Sequence, residues 1–146
     1  MAPTLDRWKV INVVETLLLV DGDSATRHAL KFILELNGYR IVEALNGIEA
    51  LQVLGEWGAD IQVALCTEDL PDMTVGQWRG QLRFLAPEIP SLILSDRERL
   101  EIAGLPVGVD CSEGLTKLPN HIRLLERLRI ALDERFFANR ARLTAA

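Results

Sequence analysis

A chain of 146 residues suffices for one domain with a packed core, and 49% hydrophobic with 25% charged residues excludes a disordered chain. The net charge of -5 argues against a nucleic-acid-binding surface, because phosphate binding requires clustered Lys and Arg. No apolar run approaches the ~20 residues of a membrane span, and residues 1–10 lack the pattern of a secretory signal, so we expect a cytoplasmic protein.

Short apolar runs alternate with segments of helical periodicity along the chain. In chain order we predict strand 16–20, helix 24–36, strand 39–44, helix 48–57, strand 61–66, helix 75–85, strand 91–95, helix 97–103, a weakly marked strand within 107–116 and helix 120–143. The first run is apolar throughout rather than alternating, which is typical of a strand covered on both faces. Asp23 or Ser24 is expected to cap the first helix, and Asn37-Gly38 to end it.

This alternation predicts an α/β domain in which a parallel sheet lies between two layers of helices, because parallel strands need crossover connections. Five strand–helix units fit the flavodoxin-like, doubly wound five-stranded order. We expect the domain to span residues 16–135. An N-terminal extension over residues 1–15 is expected to pack on the domain or on a second copy, and residues 136–146 are expected to extend the final helix.

The functional crevice of such a sheet lies outside the carboxyl ends of its strands. The residues that follow the predicted strands therefore form the candidate site. They are Asp21, Gly22, Asp23, Thr67, Asp69, Ser95 and Lys117.

These positions, in their order and spacing, resemble the receiver domain of bacterial response regulators over most of residues 16–135. The resemblance rests on short segments that are weak singly and strong as an ordered set. They are Leu18-Leu19-Val20-Asp21, Gly38-Tyr39, Asn46-Gly47-Ile48-Glu49-Ala50, Leu70-Pro71-Asp72-Met73, Ile89-Pro90 and Lys117.

The resemblance implies a phosphorylation switch. Receiver domains accept a phosphoryl group from a histidine kinase on an Asp at the end of the third strand. They hold Mg²⁺ with that Asp and with an acidic pair after the first strand. A hydroxyl residue after the fourth strand and a Lys after the fifth contact the phosphoryl oxygens.

The carboxylate roles of the family transfer only in part. Asp21 matches the first member of the acidic pair, but the second position is Gly22, which has no side-chain oxygen. Asp23 matches a third position that is often acidic, and here it is read as a helix cap. The acceptor position, four residues before Pro71, is Thr67, whose hydroxyl cannot form an acyl phosphate. The pocket is therefore expected to be inert as a phosphoacceptor.

The remaining positions are mixed. Ser95 matches the hydroxyl residue and Lys117 the lysine, which is expected to form a structural ion pair with Asp21 or Asp23. The aromatic residue that usually lies three positions before the lysine is replaced by Gly114. The parts that couple phosphorylation to the signalling face are therefore missing.

We expect a pseudo-receiver, which is a phosphorylation-independent interaction module rather than an enzyme. No cofactor is expected, and Mg²⁺ at most weakly, through Asp21. The partner is expected to be a signalling protein or a second copy, and neither nucleic acid, membrane nor a small-molecule substrate. Phe136 and Phe137 on the final helix, with Gly114, are the candidate interaction surface.

Two alternatives stay open. The loop after the third strand is one residue longer than in the family, so a shifted register could make Asp69 the acceptor, and a Ser/Thr kinase could modify Thr67. A flavin- or nucleotide-binding enzyme on the same architecture is less favoured, because the anionic segment Asp21-Gly22-Asp23-Ser24 would repel a phosphate.

Overall fold

The structure is a computed structural model that describes residues 14–104 and 120–145, with residues 120 and 136–145 described by their backbone alone. The elements follow in the order β1 (Thr16–Val20), α1 (Ser24–Leu36), β2 (Arg40–Ala44), α2 (Gly47–Trp57), a 3-10 turn (Gly58–Asp60), β3 (Val63–Thr67), α3 (Val75–Leu85), β4 (Ser91–Leu94), α4 (Asp96–Ile102) and α5 (Asn120–Ala145). The predicted fifth strand, Gly114, Lys117 and residues 1–13 of the N-terminal extension lie outside the described residues.

The described strands form one parallel sheet in the order β2-β1-β3-β4. Leu18 of β1 pairs with Val42 of β2 on one side and with Ala64 of β3 on the other. The two central strands, β1 and β3, are buried at every residue, as a continuous apolar run predicts. This order is the flavodoxin-like arrangement over the four strands that are described.

Each face of the sheet is covered by its own hydrophobic core. Leu18 and Val20 of β1 face one way, toward α2 and α3, where Trp78 is the largest fully buried side chain. Leu17 and Leu19 face the other way, toward α1, α4 and α5, and belong to a second buried cluster. The architecture is therefore three-layered, as predicted, because successive side chains of a strand point to opposite faces.

Side chains cap four of the helices just beyond the carboxyl ends of the strands. Asp23 caps α1 by accepting the N–H of Ala25, which confirms the predicted cap. The corresponding caps of α2, α3 and α4 are Asn46, Thr74 and Ser95. Because each cap ends one crossover loop and begins a helix, it fixes where the residues after each strand lie.

The fourth strand ends at Leu94, one residue before the predicted end, because Ser95 caps the next helix. Two details of the predicted third strand are also wrong. The third strand begins at Val63 rather than at residue 61, since Gly58–Asp60 forms a 3-10 turn before it. Thr67 was expected to open the loop, but it is the last residue of β3 and pairs in register with Leu94 of β4.

The final helix, α5, is 26 residues long, which corresponds to about 39 Å. Its amino-terminal half packs on the sheet through Leu124, Leu128 and Leu132. Among the helices that the structure describes, none is both long enough and apolar enough to cross a membrane.

Substitution of Leu128 by Ala should lower the free energy of unfolding by about 2–5 kcal/mol, because the side chain is fully buried and its loss leaves a cavity. Ile130→Ala, two residues further along the same helix, is the matched control. Ile130 is 59% exposed, so its truncation should change stability by less than about 0.5 kcal/mol. Urea unfolding followed by circular dichroism measures both, and equal effects would contradict the described packing of α5.

Candidate functional site

The carboxyl ends of β1, β3 and β4 bring the predicted site residues to one edge of the sheet. Asp21 directly follows β1, Thr67 ends β3, and Ser95 follows β4. The hydroxyl of Thr67 donates to the backbone carbonyl of Val20, 3.3 Å away, which places Thr67 beside the strand end that carries Asp21.

The Asp21 carboxylate is completely buried and receives three donors. Its Oδ2 accepts the hydroxyl of Thr26 at 2.6 Å, and its Oδ1 accepts the backbone N–H of Asp23 at 3.0 Å. Oδ1 also accepts the Nη1 donor of Arg99 at 3.1 Å. A buried carboxylate is costly unless it is paired and hydrogen-bonded, and Asp21 meets both conditions.

Arg99 supplies the positive charge of this pocket. It lies on α4, its side chain is 12% exposed, and its second amino group, Nη2, is 3.1 Å from Asp96 on the same helix. Arg99 therefore joins the end of β1 to the first turn of α4 through an ion pair with little exposure to water. Such a pair is screened by salt much less than a surface pair.

Sequence reasoning missed Arg99. It assigned an ion pair with Asp21 or Asp23 to Lys117, which lies outside the described residues, so that pairing stays a prediction. A signal was present in the sequence, because Arg99 lies one helical turn after the cap Ser95 and so returns to the strand-end side of its helix. The sequence alone gives no reason to choose Arg99 rather than Arg97, two residues earlier, as the partner of Asp21.

Thr67 occupies the acceptor position of the resemblance as a wholly buried strand residue. Its hydroxyl is used inside the sheet, as the donor to Val20. Neither a carboxylate nor an exposed oxygen is therefore present at this position.

Gly22 is closely approached by the neighbouring loops. A Cβ added at this position would lie 3.3 Å from the carbonyl oxygen of Leu45 and 3.3 Å from Cδ of Pro71. Both distances are tighter than most real Cβ contacts, so a side chain at position 22 requires the backbone of Leu45 or the ring of Pro71 to shift by a few tenths of an ångström.

The loop after β3 is fastened to the start of α2 by Asp72. Its two carboxylate oxygens accept the backbone N–H groups of Gly47 and Ile48, each at 2.8 Å. Desolvation acts to raise the pKa of Asp72, but these two donors outweigh it, so the pKa lies below the ordinary value of 3.8. Met73 packs against Gly47 so closely that any Cβ there would overlap it.

Asp69 lies in the same loop and is exposed, whereas Asp21 is buried. Its role as an alternative acceptor stays a prediction. Phe136 and Phe137 lie on the backbone-only part of α5, and Gly114 lies outside the described residues, so the predicted interaction surface stays a prediction.

Ser95 is fully engaged as a helix cap. Its hydroxyl oxygen accepts the N–H of Glu98 at 3.1 Å and its hydroxyl donates to the Glu98 carboxylate at 3.0 Å. The other carboxylate oxygen of Glu98 is 3.2 Å from Nη1 of Arg127 on α5. Arg127 also donates to the carbonyl of Ile93 on β4, at 3.1 Å.

The residues present do not fit the Mg²⁺ that the resemblance implies. Mg²⁺ requires anionic oxygens in near-octahedral geometry, and Asp21 alone offers a carboxylate at the three positions matched to metal ligands. That carboxylate already accepts three donors, and the guanidinium of Arg99 would repel a divalent ion. Over residues 14–104 and 120–135, no group of three or more His, Cys, Asp or Glu side chains is placed to hold a metal.

A separate groove of about 460 Å³ lies at the opposite, amino-terminal edge of the sheet. Its walls include Val14, Thr16, Arg40 and Trp57. It contains none of the predicted site residues and is distinct from the pocket around Asp21.

Known proteins similar in sequence are signalling proteins, although no family model matches the chain. The response regulator MprA of Mycobacterium ulcerans is 32% identical over 96 residues, which are 64% of this chain and 40% of that protein. The sensor kinase CckA of Brucella abortus is 30% identical over 80 residues, which are 55% of this chain and 8% of that protein. The chain thus spans well under half the length of these relatives.

Solved structures of receiver domains share the fold. A CheY-like receiver domain protein from Methanospirillum hungatei matches with a TM-score of 0.65 and 23% identity, covering 86% of this chain and 99% of that one. The signal receiver domain of an HD domain-containing protein from Pseudomonas fluorescens gives 0.66 and 20%, covering 87% and 93%. TrrA from Thermotoga maritima, solved with Mg²⁺ and BeF, gives 0.59 and 20%, covering 82% and 100%.

Asp72→Ala should lower the free energy of unfolding by about 1 kcal/mol at neutral pH, because two N–H groups at the start of α2 lose their acceptor. The folded-state pKa of Asp72 is depressed, so this stabilisation is present above about pH 3.8 and is lost as the pH falls through the lower folded value. The melting temperatures of the variant and the wild type should therefore converge as the pH falls through the folded-state pKa of Asp72. Asp69→Asn, in the same loop, should match the wild type at every pH, and a loss equal to that of Asp72→Ala would contradict the described loop.

Thr67→Asp should be strongly destabilising, by about 3 kcal/mol, because it buries a second carboxylate beside Asp21 without a metal to neutralise it. Thr67→Val keeps the shape of the side chain and loses only a hydroxyl donor, at a cost of about 1 kcal/mol. Chemical denaturation without added metal compares the two variants. Equal stability would mean that the pocket still accommodates an acid at this position.

Proposed function

We propose that this chain, which has the fold of solved receiver domains and is similar in sequence to response regulators, is a pseudo-receiver, a phosphorylation-independent protein-interaction module in bacterial signal transduction. It acts in the cytoplasm, through contact with a signalling protein or a second copy of itself. It is not an enzyme. As the chain spans 40% of the MprA relative, the rest of such a regulator is outside this comparison.

The observation that supports this proposal best is the ion pair between Asp21 and Arg99 beside a buried Thr67. Forming an aspartyl phosphate requires a carboxylate nucleophile and a divalent ion that neutralises the incoming phosphoryl oxygens. At this edge of the sheet the nucleophile is replaced by a hydroxyl that is already donating. The metal's position beside Asp21 faces a guanidinium that is already bound.

The second candidate is an active receiver that uses Asp69. Its exposure favours access by a kinase. Bringing Asp69 to Asp21 requires the loop to fold back, and the hydrogen bonds that Asp72 in the same loop accepts from the start of α2 oppose such a movement. Phosphorylation of Thr67 by a Ser/Thr kinase requires a hydroxyl that is wholly buried to become exposed.

An enzymatic role has little chemical support at this pocket. The Cys66 thiol is buried next to Thr67, and burial, followed by the charge of Asp21, raises its pKa to about 12. A thiol with that pKa is protonated at neutral pH and is a poor nucleophile. The pocket therefore lacks an activated group among its described side chains.

The direct test is incubation of the protein with acetyl phosphate and Mg²⁺, followed by intact mass spectrometry at low temperature. The unmodified mass is expected, because the pocket offers no acceptor carboxylate. Size-exclusion chromatography with light scattering before and after the treatment should give the same oligomeric state. A phosphorylatable receiver domain treated in parallel confirms that the reagent is active.

A species heavier by about 80 Da would overturn the proposal, and its chemistry would identify the acceptor. An adduct that hydroxylamine removes and that Asp69→Asn abolishes assigns phosphorylation to Asp69. An adduct that resists hydroxylamine and that Thr67→Val abolishes assigns it to Thr67.

A further inference from the structure

The first turn of α4 carries charged side chains that reach the pocket on one side and α5 on the other. Arg99 extends to Asp21 at the end of β1, and Glu98 extends to Arg127 on α5. Glu68, just after β3, additionally accepts the backbone N–H of Asp96, at 3.3 Å. Three polar contacts therefore connect this helix of seven residues to three different segments of the chain.

Of the residues that make these contacts, Arg99 is the one whose loss should disturb the position of α4 most. Its guanidinium is 12% exposed, whereas Glu98 and Arg127 are each more than a third exposed. Asp21 has no exposure at all, so loss of Arg99 leaves a buried carboxylate without its counter-charge. Breaking one partner of a buried pair is far more disruptive than breaking a surface pair.

The helix itself has little else to hold it. It is less than two full turns long, and Ile102 is its one buried residue. Isolated helices of this length are unstable in water, so the position of α4 depends on its tertiary contacts.

We propose that Arg99 is the built-in counter-ion of this pocket and locks α4 in one position. Through Glu98 and Arg127, that position also fixes the amino-terminal half of α5, without a metal ion or a phosphoryl group. The inference rests on the proposed function and deepens it, because it explains how a domain without the phosphorylation switch keeps its α4–α5 surface in a single conformation.

The proposed restraint of α4 by Arg99 is called the lock below. It is tested by measuring hydrogen–deuterium exchange in peptides that cover residues 96–104. Arg99→Met and Asp21→Asn should each speed exchange in this segment by about tenfold while leaving α2 unchanged. The double variant should exchange no faster than either single variant, because both remove the same interaction. Millimolar MgCl₂ should leave exchange in the wild type unaltered.

Arg97→Met is the matched control on the same helix. Arg97 is half exposed and pairs with Glu101 one turn away, so its loss should leave exchange in residues 96–104 close to the wild-type rate. Arg99→Lys keeps the charge and should recover most of the lost protection. If Arg99→Met fails to fold, Asp21→Asn, which keeps the shape and an acceptor for Thr26, is compared with Arg97→Met alone.

The lock would be overturned by equal exchange in Arg99→Met and Arg97→Met, by effects of Asp21→Asn and Arg99→Met that multiply, or by protection of α4 gained by the wild type with MgCl₂. Loss of protection that is uniform over all helices would also overturn it, since that pattern reports global destabilisation. A phosphorylated species in the mass assay would instead contradict the proposed function. The exchange comparison would still test the role of Arg99.

Discussion

The pocket is organised by the need to neutralise one buried carboxylate. Asp21 follows the central strand β1 and has no exposure to water, so its charge must be met by donors inside the protein. Thr26 on α1, the backbone of Asp23 and Arg99 on α4 meet it from three segments. A requirement that in similar folds brings in a metal ion is here satisfied by a side chain of the same polypeptide.

The other residues at this edge of the sheet are consistent with an Asp21 carboxylate that is neutralised within the protein. The loop after β3 is held at the start of α2 by Asp72, and Pro71 of this loop lies close to the place of a side chain at position 22. Thr67 directs its hydroxyl into the sheet instead of toward solvent. Several side chains thus close the pocket in the same way, although each belongs to a different loop or strand.

The sequence predicted the fold well because its signals are local. Continuous apolar runs located β1 and β3, and the cap residue Asp23 and the Asn37-Gly38 stop located the ends of α1. It also identified the edge at which Asp21, Thr67 and Ser95 meet, because parallel topology brings strand ends together. The role of Arg99 could not be predicted, since the partner of Asp21 lies 78 residues away and depends on which side of α4 faces the strand ends. The start of β3 was misplaced because a buried Ile61 looks the same in a strand as in the short connection between the 3-10 turn and the strand.

The close approach of Pro71 to the place of a side chain at position 22 has a consequence for substitutions at this edge of the sheet. An acid at position 22 requires the backbone of Leu45 or the ring of Pro71 to shift by a few tenths of an ångström. An acid at position 67 buries a second negative charge beside Asp21, whose counter-ion Arg99 is already paired. Acidic side chains at these two positions therefore require adjustments in different segments of the chain, and neither substitution is accommodated by the present packing alone.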